Sequence, residues 1–327
     1  MTTVSDPAFA CKNVTDCNTL NDVMDVIGAN NYKTVSIQEH IGDRIRNAAS
    51  GHYGPEFAYK LDDVIGSLSH QFDNHRGVIA PTGETWINSD TYDLLQPREV
   101  TEVFQPVLDQ FSGYTFKRAG YLQGGRRLFI EVTLGKFEIA RRDRKVGDVL
   151  EKNVTLFTGF DGSAATDIAE SLLRLWCSNG CSSWVKQLSI RCKHTSNQRN
   201  RLNAAIAHLT DSTNVFQQIS AKLNNYAQTT LDRQTAMKAI EKILPGDATR
   251  TTNKRIEILN EFHNEKRGTF GDTVFDLFNA FTAHASHETN YRTTETASRE
   301  ENRFNALNLD GRRSMESIVD MLDSLAS

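Results

Sequence analysis

The residues best suited to chemistry are two basic runs interleaved with aromatic rings. Between Tyr114 and Lys145 lie Lys117, Arg118, Arg126, Arg127, Lys136, Arg141, Arg142, Arg144 and Lys145, opposed within the run only by Glu131, Glu138 and Asp143. Between Ser182 and Leu202 lie Lys186, Arg191, Lys193, Arg199 and Arg201, with no acidic residue among them. Tyr114, Phe116, Tyr121, Phe129, Phe137, Trp176 and Trp184 are interspersed. Cations that track phosphates beside rings that stack on bases are the combination used to hold single-stranded nucleic acid without sequence preference. The bland alternative, rings in the core and charges on a solvated face, weighs about evenly against it.

The whole-chain charge makes the concentration informative. Lys and Arg number 37 against 41 Asp and Glu, a formal net charge of −4, so any polyanion site must be a local patch. Single-stranded DNA is the favoured partner, and the site residues are Lys117, Arg118, Arg126, Arg127, Lys136, Arg141, Arg142, Arg144, Lys145, Arg191, Lys193 and Arg199.

Catalytic signatures are weaker. The sequence holds no GxxxxGK[ST] phosphate loop, no HExxH helix and no GxSxG elbow. Asp161-Gly162-Ser163 with His194 offers a carboxylate, a hydroxyl and a base for a hydrolase, but Asp-Gly-Ser is far more often only a turn. Five cysteines, Cys11, Cys17, Cys177, Cys181 and Cys192, are an odd, sparse set that fits free thiols better than a disulfide framework. Neither the CxxxC pair at Cys177 and Cys181 nor His284 and His287 beside Glu288 supplies a four-ligand zinc set, so no cofactor is expected.

These residues need elements to position them. Leu128, Ile130, Val132 and Leu134 alternate with Phe129, Glu131 and Thr133, which reads as a strand, and Gln123-Gly124-Gly125 before it reads as a hairpin turn. Asp161-Gly162 marks a second hairpin between Asn153–Phe160 and Ala165–Cys177, although Ile168, Leu172 and Leu175 are also helix-spaced. Leu188, Ile190 and Cys192 form a further strand ending at His194.

Upstream, Leu20–Ile27 reads as an amphipathic helix, Tyr32–Ile37 as a strand, Glu56–Leu68 as a helix and Asn74–Thr85 as a loop. A helix opening at Pro97 presents Val100, Val103, Phe104, Val107, Leu108 and Phe111 on one face. After Thr195 the period is helical: Leu202 to Leu209, Val215 to Leu223 after the Thr-Asp-Ser-Thr capping stretch, then Thr235–Leu244, Lys254–His263, Thr273–His284 and Ser314–Leu325. The expected fold is α+β, a central antiparallel β-sheet of hairpins flanked by helices with a helical C-terminal region. It divides into residues 1–113 as an N-terminal α/β region, 114–245 as the basic β-core with its following helices, and 246–327 as the helical C-terminal region.

Arg118-Ala-Gly-Tyr-Leu-Gln-Gly-Gly-Arg-Arg-Leu-Phe, Phe160-Asp-Gly-Ser, Leu175-Trp-Cys-Ser-Asn and Ile190-Arg-Cys-Lys-His-Thr resemble, in that order, the landmarks of the domain-of-unknown-function family 932, which includes phage/plasmid-like proteins. Asn279-Ala-Phe-Thr-Ala-His and Leu307–Arg313 extend the resemblance from Tyr114 to the end, while the first hundred residues match poorly. The resemblance implies a mobile-element origin and leaves the activity undefined. In topology the hairpins followed by a helix are also similar to phage single-strand annealing proteins, which implies a homo-oligomer lining a continuous groove. The alternative is an inhibitor or accessory factor that binds a host protein. No apolar stretch approaches the length of a membrane span and the first residues carry no secretion signal, so the cytoplasm of a bacterial host is the expected location.

Overall fold

A computed structural model describes residues 11–37, 42, 74–111, 113–140, 148–174, 179–182, 189–208, 212–265, 269–285, 293, 299, 302 and 312–327. The expected helix at Glu56–Leu68 lies outside the described residues. The architecture is α+β.

The main sheet is antiparallel and seven-stranded. Its members are β1 (Lys12–Asn13), β5 (Thr115–Leu122), β6 (Arg127–Ile139), β7 (Asp148–Gly159), β8 (Thr166–Arg174), β9 (Asn179–Ser182) and β10 (Ser189–Cys192). They run in the order β1-β5-β6-β7-β8-β10, with β9 pairing the far half of β8 on the same side as β10. The ambiguous Ala165–Cys177 segment is strand β8, paired in register with β7 from Leu156↔Ile168 to Leu150↔Arg174. Its helical spacing is overridden because both neighbours of β8 offer hydrogen-bonding edges.

A three-stranded sheet, β2 (Lys33–Ser36), β3 (His75–Ile79) and β4 (Thr85–Ser89), completes the β-structure. The expected loop over Asn74–Thr85 is corrected here: His75–Ile79 is a strand, and only Ala80–Glu84 turns. Gly77 interrupts the alternation that would have revealed it, and its lack of a side chain is required, because a Cβ there would lie 2.9 Å from Val35 Cγ2.

The alternation of β6 buries both faces. Leu128, Ile130 and Val132 join a first core with Phe116 and Ala119 of β5, Val154 and Leu156 of β7, and Ile168 of β8. Phe129 turns the other way, against Leu122 and Phe157. Over the first face pack α1 (Leu20–Ile27) and α2 (Glu99–Leu108). Thr19 and Asp22 cap α1 reciprocally and Gly28 ends it in the left-handed region, so its apolar face of Leu20, Val23, Met24 and Ile27 is fixed toward the sheet. Pro97 lies in the turn that leads into α2 rather than inside it, with Glu99 Oε2 accepting the Gln96 N–H at 2.8 Å.

The C-terminal helices are α3 (Gln198–His208), α4 (Ser212–Gln228), α5 (Arg233–Ile243), α6 (Thr249–Phe262), α7 (Val274–Ala283) and α8 (Arg312–Ala326). Every residue of α7 is buried, including the polar stripe of Asp276, Asn279 and Thr282, which hydrogen-bond to Thr273 Oγ1, Phe275 O and Asn279 O. Around it a second core gathers α4, α5, α6 and α8 with Ile139 and Leu150 from the far end of the β6–β7 hairpin. Asn224 of α4 accepts the Ala140 N–H at 2.9 Å and Gln228 donates to Ala140 O at 2.8 Å, so α4 clamps the end of β6.

The C-terminus of α5 is closed by a buried side chain from α6. Arg255 donates to Leu244 O from Nε at 2.9 Å and from Nη2 at 2.6 Å, and to Gly246 O at 2.7 Å. A cation on the last carbonyls of a helix satisfies acceptors that the helix cannot and opposes its dipole. Arg255→Ala is expected to lower unfolding stability by about 2–3 kcal/mol in urea titrations, with Arg255→Lys intermediate because an ammonium cannot reproduce the fork.

Candidate nucleic-acid interface

The two basic runs do share one sheet, but they do not make one groove. From β6 to β10 there are three strand spacings, about 14 Å. The cations also divide by partner. Lys117 is paired with Glu151 of β7, and Arg118 with Glu131, its cross-strand neighbour on β6. Arg126 lies 3.8 Å from Asp161 and holds its guanidinium 5.8 Å from the Trp86 ring centroid. Arg199 reaches Glu99 at 2.5 Å and Glu102 at 3.4 Å, both on α2. Most of these carboxylates sit outside the basic runs in sequence, which is why counting charges within a run did not reveal them.

Arg127 donates to Ser163 Oγ at 3.4 Å from Nη2, and its buried Nε has no partner among the described residues. Lys136, Arg191 and Lys193 are exposed and form no ion pair among the described residues. The same holds for Arg201, on the first turn of α3, which packs against β10. Arg191 faces Asp167 in register without pairing to it. Arg141, Arg142, Arg144 and Lys145 lie outside the described residues, as do Lys186, Trp176 and Trp184.

The rings between the cations of β5 and β6 are wholly or partly buried. Phe116 and Phe129 are fully buried, Phe137 packs on the second core, and Tyr114 meets Phe116 edge to face at 5.6 Å. Phe116 and Phe129 are closed to bases, whereas Tyr114 and Phe137 are half-buried. Among the described cations of the two basic runs, those that are exposed and form no ion pair therefore lie at the β10 edge and its α3 neighbour, with Lys136 apart on the β6–β7 hairpin.

At one end of the sheet, two hairpin turns meet the small sheet. Gly124 and Gly125 take φ of 65° and 100°, which glycine allows, and Gln123 before them enters the left-handed region at 53° despite its Cβ. Phe160 N–H donates to Arg126 O at 2.8 Å, tying the second turn to the first. Tyr32 donates from its hydroxyl to Gly125 O at 2.5 Å and stacks on Phe160 with centroids 4.3 Å apart. Asn88 of β4 donates to Phe160 O at 2.9 Å. Gly162, at φ 77°, passes so close that a Cβ would lie 2.9 Å from Asn88 Oδ1. Burial raises the Tyr121 hydroxyl to about 12, so it stays a neutral phenol at this junction.

His194 is buried just beyond β10, beneath the Tyr92 ring at a centroid distance of 4.7 Å. Its Nδ1 lies 3.2 Å from Asp93 O and its Nε2 3.4 Å from Thr166 Oγ1. No hydrogen bond joins it to Asp161, whose Oδ1 instead accepts from Ser163 N at 3.1 Å and Ser163 Oγ at 2.7 Å. The direct contact that a hydrolase reading of these two residues requires is not made. Sequence reasoning missed Tyr92, Asp93, Thr166 and Gln198, which surround His194; a run of Tyr, Asp, Thr and Gln in separate segments carries no periodic signal.

Three of the landmark segments thus converge at one edge and one end of the sheet: the Gly124-Gly125 turn, the Phe160–Ser163 turn and the strand leading to His194. A family model described as Domain of unknown function (DUF932) matches residues 87–307. The chain belongs to that family. The DUF932 match begins within β4, ahead of the Tyr114 limit of the resemblance, and so takes in α2 and the Tyr92–Asp93 loop that meets His194. It covers the main sheet from β5 onward and α3 to α7. No curated protein and no solved structure matches the chain.

Proposed function

We propose that this chain binds nucleic acid, single-stranded DNA by preference, on the cationic edge formed by β10 and α3, and serves recombination or replication of a mobile element in the cytoplasm of its bacterial host. The observation that supports this reading is the contrast between cations. Arg191, Lys193 and Arg201 are exposed and form no ion pair among the described residues, whereas Lys117, Arg118, Arg126 and Arg199 are matched by the chain's own carboxylates. In a chain of net charge −4, unmatched cations on one edge are where a phosphate backbone gains most by releasing its counterions. The mobile-element role rests on the resemblance to phage/plasmid-like proteins, and a homo-oligomer would extend the edge along a strand.

The test is a fluorescence-anisotropy titration with labelled single-stranded oligonucleotides at increasing salt. Binding at about 50 mM salt is expected, weakening by an order of magnitude or more by about 200 mM. Absence of binding to DNA or RNA at the lower salt overturns the reading. Recovery of a stoichiometric host protein free of nucleic acid would favour the inhibitor alternative instead.

A further inference from the structure

His194 sits in a closed chain of hydrogen bonds whose directions can be worked out. Asp93 O is a carbonyl and only accepts, so the imidazole proton is on Nδ1, 3.2 Å away, and Nε2 carries the lone pair. The Asp93 N–H donates back to His194 O at 3.3 Å, making a two-way clasp. Thr166 Oγ1 accepts from Gln198 Nε2 at 2.7 Å and lies 3.0 Å from Thr158 Oγ1. With its one proton given to Nε2, its two lone pairs take Gln198 and Thr158, and each of these contacts is satisfied. The clasp joins the Tyr92–Asp93 loop, β7, β8, the end of β10 and the first residue of α3.

A second proton on the imidazole upsets this arrangement. Nε2 can then no longer accept, so the Thr166 proton must turn to Thr158. Thr158 is 1% exposed and has no other partner among the described residues, so its own proton is left without an acceptor. Tyr92 covers the ring on one side, and burial also raises its phenol, so it contributes no charge. The fields of the Asp93 and Asp161 carboxylates favour the proton, as do hydrogen bonds to the Asp93 carbonyl and the Gln198 side chain, and burial outweighs them. Lys193, Arg199 and Arg201 are the cations nearest in the chain, and Arg199 is taken up by Glu99 and Glu102. The Cys192 thiol beside it is pushed up by burial and stays neutral.

We propose that His194 is a proton-operated latch: with a neutral imidazole it clasps the β10–α3 edge to the Tyr92–Asp93 loop, and protonation releases that edge. Burial is the largest influence on the ring and holds its proton affinity below the ordinary histidine value of 6.5. A lowered folded value means the opened state takes up the proton more readily. The clasp is therefore at full strength above about pH 6.5 and weakens as the pH falls below it.

Hydrogen exchange on the intact protein tests the latch without any nucleic acid, so failure of the binding proposal leaves it standing. After correction for the intrinsic pH dependence of exchange, protection across 191–201 is expected to drop several-fold, with about tenfold as the ceiling for one titrating group, between about pH 7.5 and 5.5, while the centre of β6 and β7 holds. His194→Gln can donate to Asp93 O and accept from Thr166 without titrating, so it should flatten that response. Should the variant not fold, the wild-type imidazole nitrogen resonances decide: the Nδ1–H tautomer at neutral pH supports the latch. The Nε2–H tautomer, an unchanged edge at low pH, or an equal loss in His194→Gln would each overturn it.

Discussion

Phe160→Ala is expected to remove about 3–5 kcal/mol of stability, the upper range for loss of a buried aromatic side chain. Phe160 is fully buried, stacks on Tyr32 and packs obliquely against Tyr121 at 6.5 Å. Its backbone is held from both directions, by Arg126 O and by the Asn88 amide. The surrounding groups cannot collapse into the space, because each is anchored elsewhere: Tyr32 to Gly125 O and Asn88 to the same turn. At about 2–4 °C per kcal/mol for a domain of this order, the midpoint should fall by roughly 10 °C in calorimetry. A loss below about 1 kcal/mol would mean that the small sheet does not depend on this ring.

Neutralising the cationic edge should have the largest effect on binding. Each phosphate contact to a single strand contributes about 0.7 to the salt slope, so at about 0.1 M salt losing three contacts costs roughly two orders of magnitude in affinity. The triple variant Arg191→Ala, Lys193→Ala, Arg201→Ala should lose that much, with a slope lower by about 2. These side chains are exposed and form no ion pair among the described residues, so the midpoint of unfolding should hardly move. Lys117→Ala and Arg118→Ala form the contrast. Their partners Glu151 and Glu131 are buried, so removing the cation leaves an uncompensated carboxylate and should lower stability more than binding. Equal losses of affinity from both sets would place the binding face elsewhere.

Much of the architecture was legible because it rests on local period. The alternation from Leu128 to Leu134 and the glycine turns at Gly124-Gly125 and Gly162 specified the hairpins, and the capped apolar faces after Thr195 specified the helices. The strand His75–Ile79 was not legible, because Gly77 removes the side chain that would have carried the alternation. The candidate interface was half legible. Basic residues can be counted along a chain, but whether Arg126 faces solvent or Asp161 depends on which turns the fold brings together. His194 was visible as a strand-end residue, whereas its partners Asp93 and Thr166 are 101 and 28 residues away and announce themselves only in three dimensions.

The β6–β7 hairpin belongs to both cores. Its register runs from Arg127↔Gly159 to Ile139↔Asp148, with a single irregularity between Thr133 and Gly135. Leu128, Ile130, Val154 and Leu156 serve the first core, Ile139 and Leu150 the second. A girder shared in this way ties the melting of one half to the melting of the other. Heat should then be absorbed in one sharp peak, and a cavity cut into α7 should be felt by amides at the opposite end of the sheet.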